Sequence, residues 1–139
     1  MVARKCGKVM LLASVAAFQP GPGMAVYYAT KSYVLSFGRA IGRELRGTGV
    51  TITTLCPGAT STEFAQVANM QGSALFKGAV PVMTAADVAR QGYVALKAGR
   101  AEIITGLTNR VMAISTRFTP TSILLMIAGH LNRPGSGQT

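Results

Sequence analysis

Acidic residues, cysteine and long apolar runs are all scarce in this sequence of 139 residues. Only 4 Asp and Glu stand against 14 Lys and Arg, so the net charge is +10. Such an excess suits nucleic acid, a membrane surface or an anionic small molecule. The basic residues are scattered along the sequence, however, and no zinc-finger or helix-turn-helix pattern accompanies them. We therefore interpret most of the charge as solvated surface and predict no nucleic-acid partner.

The scarcity of cysteine and histidine restricts the redox and metal chemistry. Cys6 and Cys56 are too few for a disulfide framework, so we predict reduced thiols and a cytoplasmic protein. The single histidine, His130, is distant from both cysteines, and we expect no metal site. No apolar run reaches the roughly 18 residues that a membrane span needs. The basic start and the apolar run over residues 9–17 also resemble a signal peptide, but a strand is the better use of them.

The apolar pattern predicts a mixed α/β domain. Continuous apolar or β-branched runs predict strands over residues 8–13, 50–56 and 101–105. Helical spacing predicts helices over residues 24–46, 84–97, 107–118 and 122–131, with a capping box at Thr84 and Asp87. The alternation predicts a parallel sheet with crossover helices, which is part of a doubly wound, Rossmann-like fold. We expect one domain over residues 1–132 and a flexible tail over 133–139.

Three side chains near the predicted strand ends form a candidate catalytic group. Tyr27 and Lys31 are four residues apart, so they share one face of the long helix. An ammonium beside a phenol favours the phenolate, and lowering the tyrosine pKa from about 10 to about 7 takes about 4 kcal/mol. A tyrosine tuned in this way can exchange a proton with an alcohol or carbonyl oxygen. Ser14, after the first strand, would donate a hydrogen bond to that oxygen.

The spacing of Tyr27 and Lys31 is weak by itself, because Tyr93 and Lys97 share it. We interpret that second pair as structural. The wider context is more specific: residues 12–31 read LASVAAFQPGPGMAVYYATK, and residues 50–64 read VTITTLCPGATSTEF. Together these segments resemble the active-site segment and the Pro-Gly loop of short-chain dehydrogenases/reductases. The resemblance covers about residues 1–70 and is that of the C-terminal half of such a protein.

The resemblance implies a role for each matching residue. Tyr27 would be the general acid/base, Ser14 would orient the substrate oxygen, and Lys31 would lower the tyrosine pKa and bind the nicotinamide ribose. The Pro-Gly loop would hold the cofactor, NAD or NADP. The cofactor residues implied beside Lys31 are Pro57, Gly58, Thr60 and Thr62. A glycine at position 58 would let the backbone approach a ligand closely.

The sequence also departs from the family pattern. The glycine-rich turn Thr-Gly-x-x-x-Gly-x-Gly, the Asn-Ala-Gly segment and the Asn of the catalytic tetrad are all absent. The segment 38–42, GRAIG, is no substitute, because it follows no predicted strand; we assign it to close helix packing. We expect a truncated chain whose first strand is an open apolar edge. Such a chain would bind a dinucleotide weakly or not at all and would need a missing segment for turnover.

The leading interpretation is an NAD(P)-dependent oxidoreductase that acts on a small-molecule alcohol or carbonyl. Residues 64–83 would form a substrate lid; their apolar side chains hint at an apolar substrate and equally suit core packing. A non-catalytic fragment or assembly module, with Gly38 and Gly42 against a partner, is the alternative. A nucleic-acid binder rests on net charge alone. The sequence leaves open a homo-oligomer, the substrate and the choice between NAD and NADP.

Overall fold

The fold is described from a computed structural model, which covers residues 1–62 and 81–133. The strands are β1 (Gly7–Leu12), β2 (Val50–Cys56), β3 (Thr60–Ser61), β4 (Met83–Thr84) and β5 (Glu102–Ile104). The helices are α1 (Ala25–Glu44), α2 (Ala85–Lys97), α3 (Leu107–Ser115) and α4 (Thr121–Leu131). Short 3-10 turns cover Val2–Arg4 and Val15–Phe18.

The main sheet is parallel, with the strand order β1-β2-β5. Leu12 pairs with Leu55 in one ladder, and Cys56 pairs with Ile104 in the other. The central strand β2 is buried along nearly all of its length, as expected for its Val, Ile and Thr residues. The predicted α/β fold with about three parallel strands is therefore confirmed. Two further strands, β3 and β4, form a small separate parallel pair that the sequence pattern did not predict.

Helices α1 and α2 cover opposite faces of the sheet. Gly38 of α1 lies against Leu11 and Thr54, which are ladder partners and therefore point to the same face. Gly92 of α2 lies against Leu55 and Met10, one position along each strand. Because successive side chains of a strand point to opposite faces, the two helices sandwich the sheet.

The packing of Gly38 corrects the idea that the glycines of α1 serve a partner helix. Gly38 is buried, and a side chain there would overlap the hydroxyl of Thr54. Gly42 also faces the sheet, 3.6 Å from the Cβ atom of Ile52 when a Cβ is built at the glycine. Both glycines thus let α1 approach its own sheet.

A small apolar core links α1 to the ends of the strands. Ala13, Leu35 and Cys56 form its buried centre. Burial raises the pKa of the Cys56 thiol to about 12, with the Glu102 carboxylate acting in the same direction. The thiol therefore stays neutral and packs as a small apolar group. Within the described residues, no three metal-ligating side chains cluster, and no helix is long and apolar enough to cross a membrane.

Among residues 1–62 and 81–133, β1 pairs only with β2. Its outer edge is open there, and Leu12 is 57% exposed. The predicted apolar edge is thus present in the described part of the chain. The predicted lid over residues 64–83 lies almost wholly outside the described residues, since only positions 81–83 belong to them, and so does nearly all of the predicted tail.

Candidate active site

The carboxyl ends of β1 and β2 bring Ser14 next to Pro57. The parallel ladder continues past the strands, because the Ala13 N–H donates to the Leu55 carbonyl at 2.8 Å and the Val15 N–H donates to the Pro57 carbonyl at 2.8 Å. The Ser14 hydroxyl also approaches the Pro57 carbonyl, at 3.4 Å. In addition, Ser14 caps the following 3-10 turn by accepting from the Ala16 N–H at 3.1 Å. These bonds fix a buried hydroxyl at the edge where ligands of parallel sheets bind.

Helix α1 places Tyr27 and Lys31 beside this hydroxyl. The half-buried Tyr27 side chain is hydrogen-bonded to Ser14. The Lys31 ammonium lies 5.7 Å from the centroid of the Tyr27 ring and donates to the Leu12 carbonyl at 3.1 Å. The structure therefore brings together the three side chains that the sequence singled out. Their sequence separation is modest, but their meeting depends on α1 lying across the end of β1.

The electrostatic state of Tyr27 differs from the sequence expectation. Burial raises the pKa of Tyr27 above 10.0, the hydrogen bond from Ser14 opposes this rise, and the neighbouring Tyr28 adds to it. From the sequence we expected Lys31 to lower this pKa instead. In the structure the Lys31 ammonium faces the tyrosine ring and a backbone carbonyl, and the desolvation of the phenol outweighs the favourable interactions of the phenolate. The phenol is neutral at pH 7.

The loop after β2 lies on the other side of the site. Within it the Thr60 hydroxyl donates to the Gly58 carbonyl at 3.0 Å, and the Ala59 carbonyl accepts from the Met83 N–H at 3.0 Å. The second bond continues into the β3–β4 pair. The hydroxyl of Thr60 thus stabilises the loop itself, and Thr62 is exposed at the end of the first described range.

One cavity of about 860 Å³ contacts all of these residues. The predicted site residues among its lining are Ser14, Tyr27, Lys31, Pro57, Gly58, Thr60 and Thr62. Apolar side chains from several elements complete it, including Met10, Val88 and Met112. Its size and apolar walls with a few convergent polar groups are typical of a small-molecule site. Tyr93, which we assigned to a structural role, also lines this cavity.

Two asparagines near the site gave no sequence signal. Asn109 of α3 is buried between Gly58 and Gly106 and lines the cavity. Asn132, after α4, accepts from the Tyr28 hydroxyl at 3.2 Å and donates to the Pro22 carbonyl at 3.0 Å. Both contacts join residues that are distant in sequence, so no local pattern could have predicted them.

Comparison with known proteins identifies the family of this chain. The family model for short chain dehydrogenases matches residues 1–72, which is half of the chain. The chain belongs to the short-chain dehydrogenase family. This confirms the resemblance found in the active-site segment and the Pro-Gly loop.

Curated relatives match this chain over only part of their own length. An uncharacterized oxidoreductase of Bacillus subtilis is 44% identical over 63 residues, which are 45% of this chain and 24% of the relative. A sulfoacetaldehyde reductase of Chromohalobacter salexigens is 37% identical over 89 residues, 61% of this chain and 35% of the relative. The chain therefore spans about a quarter to a third of the length of these relatives.

Solved structures of the family show the same fold. A structure described in terms of 7beta-hydroxysteroid dehydrogenase stereoselectivity matches 91% of this chain and 49% of its own, with a TM-score of 0.71 and 21% identity. A short-chain dehydrogenase of Sphingobium yanoikuyae in complex with NADPH matches 84% of this chain and 45% of its own, with a TM-score of 0.65 and 25% identity. The sheet and helices described above are thus about half of the fold of these dehydrogenases.

Proposed function

We propose that the protein takes part in NAD(P)-dependent oxidoreduction of an alcohol or carbonyl group, with Tyr27 as the proton-transfer residue. The observation that carries the proposal is the hydrogen-bonded pair of Ser14 and Tyr27 at the strand ends, with Lys31 beside the ring and all three in one cavity. A hydroxyl and a phenol that converge on one point can both contact the same substrate oxygen.

The residues around the cavity fit the nicotinamide end of a dinucleotide. Lys31 offers an ammonium to the ribose hydroxyls, and the loop Pro57–Thr60 offers backbone groups beside a glycine that leaves room for a flat ring. Thr62 would reach the carboxamide or the phosphates. A nicotinamide cofactor supplies or accepts the hydride at the substrate carbon. The similar Sphingobium yanoikuyae protein, which was solved with NADPH, supports this assignment.

The protein residues supply the proton chemistry. In carbonyl reduction the carbon gains a hydride and the oxygen gains a proton, so a neutral acid must stand at the oxygen. Burial keeps the Tyr27 phenol protonated, so it can give its proton to the carbonyl oxygen, while Ser14 donates a hydrogen bond to that oxygen. In alcohol oxidation the phenolate would take the proton back. The upward pKa shift of Tyr27 therefore keeps at neutral pH the protonated form that carbonyl reduction requires.

The substrate we propose is a small molecule with an apolar body next to its carbonyl. Apart from the catalytic group, the cavity walls are mostly apolar, from β1, α2 and α3. Lys31 is the only charged side chain among the described lining residues, so a substrate with a charged group of its own would find few partners there. The names of the curated relatives include a sulfoacetaldehyde reductase and a serine 3-dehydrogenase, so family membership alone leaves the substrate open.

The phosphate end of the dinucleotide has no counterpart in residues 1–139, because the sequence contains no glycine-rich turn between a strand and a helix. We propose that this chain contributes the catalytic and nicotinamide side of the site. Taken alone, it should bind NADH or NADPH much more weakly than a protein that also carries a phosphate-binding turn.

The test compares two tyrosine variants that each lose one hydroxyl from α1. Oxidation of NADPH and NADH with apolar aldehydes and ketones is measured for the chain, and for the chain extended by the first half of its Bacillus subtilis relative. Tyr27→Phe should lower kcat by about 100-fold or more, because the proton donor is lost. Tyr33→Phe, which alters an exposed ring, should keep the full rate. An extended protein without reductase activity, or an active Tyr27→Phe variant, would overturn the proposal.

A further inference from the structure

The side chain of Asn109 fills the space directly beside the Pro-Gly loop. Asn109 lies in the first turn of α3 and is only 4% exposed. A Cβ atom built at Gly58 would overlap the Asn109 amide, so the amide stands where any other residue at position 58 would place its side chain. The amide also lies within 3.2 Å of a Cβ position built at Gly106. The buried Asn109 amide thus packs against two glycines, Gly58 and Gly106.

The orientation of this amide is fixed by the sheet. The Asn109 amide nitrogen donates to the Thr105 carbonyl at 2.8 Å. The Thr105 N–H in turn donates to the Cys56 carbonyl at 3.3 Å, immediately before Pro57. Asn109 is therefore tied through Thr105, the residue after β5, to the last residue of β2. Because a buried amide without its hydrogen bond is unfavourable, the side chain has little freedom to turn away from Gly58.

Other contacts hold the backbone on both sides of Gly58, and the Thr60 hydroxyl holds the Gly58 carbonyl, while the side-chain position of Gly58 is filled by Asn109. Pro57 is held through its carbonyl by the Val15 N–H, and Ala59 is held through its carbonyl by the Met83 N–H. Between these two anchors, the Asn109 amide occupies the position where a Cβ atom of residue 58 would lie. The position of the loop relative to the cavity thus depends on a residue of α3, about fifty positions further along the chain.

We propose that Asn109 is a positioning residue that sets the distance of the Pro57–Gly58 backbone from the bound nicotinamide. This inference rests on the proposed function, because it assigns the cofactor to that loop. Asn109 acts through Gly58 and takes no part in proton transfer. Its loss should therefore weaken cofactor binding more than it slows the chemical step.

The experiment is a double-mutant cycle on the Gly58 and Asn109 pair. Gly58→Ala forces a methyl group into the amide, Asn109→Ala empties the same space, and the double variant accommodates the methyl group. Each variant is characterised by the factor by which it raises the unfolding equilibrium constant. If the contact is direct, the factor for the double variant should be about fivefold or more smaller than the product of the two single-variant factors. Strictly additive effects would overturn the proposed contact.

Two further readouts separate positioning from general stability. Hydrogen exchange of the amides at positions 58–60 should accelerate about tenfold or more in Asn109→Ala, relative to the amides of α1. In the extended protein, the KM for NADPH should rise by about tenfold while kcat changes by less than about threefold. Asn109→Asp keeps the volume but loses the donor to Thr105, and it should show the same pattern if the alanine variant fails to fold.

Asn132→Ala is the matched control, because it removes another amide that donates to a backbone carbonyl. It should lower stability without changing loop exchange or the KM for NADPH. Unchanged exchange at positions 58–60 in both Asn109 variants would overturn the inference, even if Tyr27→Phe behaves as proposed. Accelerated loop exchange and a non-additive cycle in a protein without reductase activity would instead place the failure in the proposed function.

Discussion

The phenol of Tyr27 shows how burial and neighbouring groups compete for the charge of one residue. A lysine one turn away suggested a lowered pKa, but the partly buried ring raises the pKa of Tyr27, and the Ser14 hydrogen bond only opposes this rise. The sequence therefore predicted correctly that Tyr27 lies beside Ser14 and Lys31, but it predicted the direction of the Tyr27 pKa shift wrongly. Burial of a side chain is decided by what packs around it, which the spacing of two residues cannot reveal.

At the residue scale we predict that Tyr27 titrates above 10.0. An ultraviolet difference titration of the wild type against Tyr27→Phe isolates its phenolate, and Tyr33→Phe gives the reference curve for an exposed ring on the same helix. Because the folded state favours the neutral phenol, the contribution of Tyr27 to folding stability is fully present below pH 10.0. This contribution is lost as the pH rises through the pKa of Tyr27 in the folded state. A midpoint below 10.0 would show that Lys31 dominates after all.

At the scale of elements, the close packing of α1 on the sheet depends more on Gly38 than on Gly42. Gly38 is buried against Thr54, whose hydroxyl has no hydrogen-bond partner among the described residues. Gly42 lies only at ordinary contact distance from Ile52. The segment GRAIG is therefore a packing motif, as we expected from its place within a helix. Its two glycines differ in what they tolerate.

We predict opposite effects for the two glycines of α1. Gly38→Ala should lower the free energy of unfolding by about 1–3 kcal/mol, because the methyl group meets a stiff, fully buried threonine. Gly42→Ala should be neutral or raise it by up to about 1 kcal/mol, since alanine favours the helix and the added methyl group would meet Ile52 only at ordinary contact distance. Urea denaturation measures both. Equal destabilisation by the two variants would contradict the fit described here.

The boundaries of the elements show which local signals are reliable. The strand over 50–56 and the Thr84 cap of α2 were predicted correctly, since β-branched runs and capping hydroxyls act through neighbouring residues. Thr84 accepts from the Asp87 N–H at 3.1 Å, as the capping box required. The third helix ends at Ser115, three residues earlier than predicted. The β3–β4 pair escaped prediction, because its two residues per strand meet only through tertiary packing.

At the scale of the whole molecule, the fold gathers positive charge at the end opposite the site. Basic residues that are scattered in the sequence lie before or at the start of strands, or at or just after the C-terminal ends of the helices that lead into them. They are therefore at the amino edge of the parallel sheet. These exposed residues are Arg4, Lys5, Lys8, Arg43, Arg46, Lys97 and Arg100. Several follow helix C-termini, where cations are favoured. The only acidic residue among the same segments is Glu44.

We predict that this concentration of charge makes stability depend on salt. Raising sodium chloride from about 0.1 M to about 1 M shortens the screening length from about 10 Å to about 3 Å, which weakens repulsion among these cations. The free energy of unfolding should therefore rise with salt. Arg46→Gln should reduce this rise. Arg133→Gln removes one charge beside Asn132, near the site, and should leave a larger rise than Arg46→Gln does. Identical salt dependence in both variants would contradict the prediction.

The sequence by itself determined the parallel α/β order and the family, and it singled out Ser14, Tyr27 and Lys31 as a candidate group, because apolar periodicity, strand-end positions and the Tyr27–Lys31 spacing are local properties of the chain. Only the tertiary structure decided the direction of the Tyr27 pKa shift, the face that Gly38 presents, the support of Gly58 by Asn109 and the gathering of cations at one end. Each of these depends on which distant segments come into contact. Contacts of that kind are set by packing, and short sequence patterns carry no record of them.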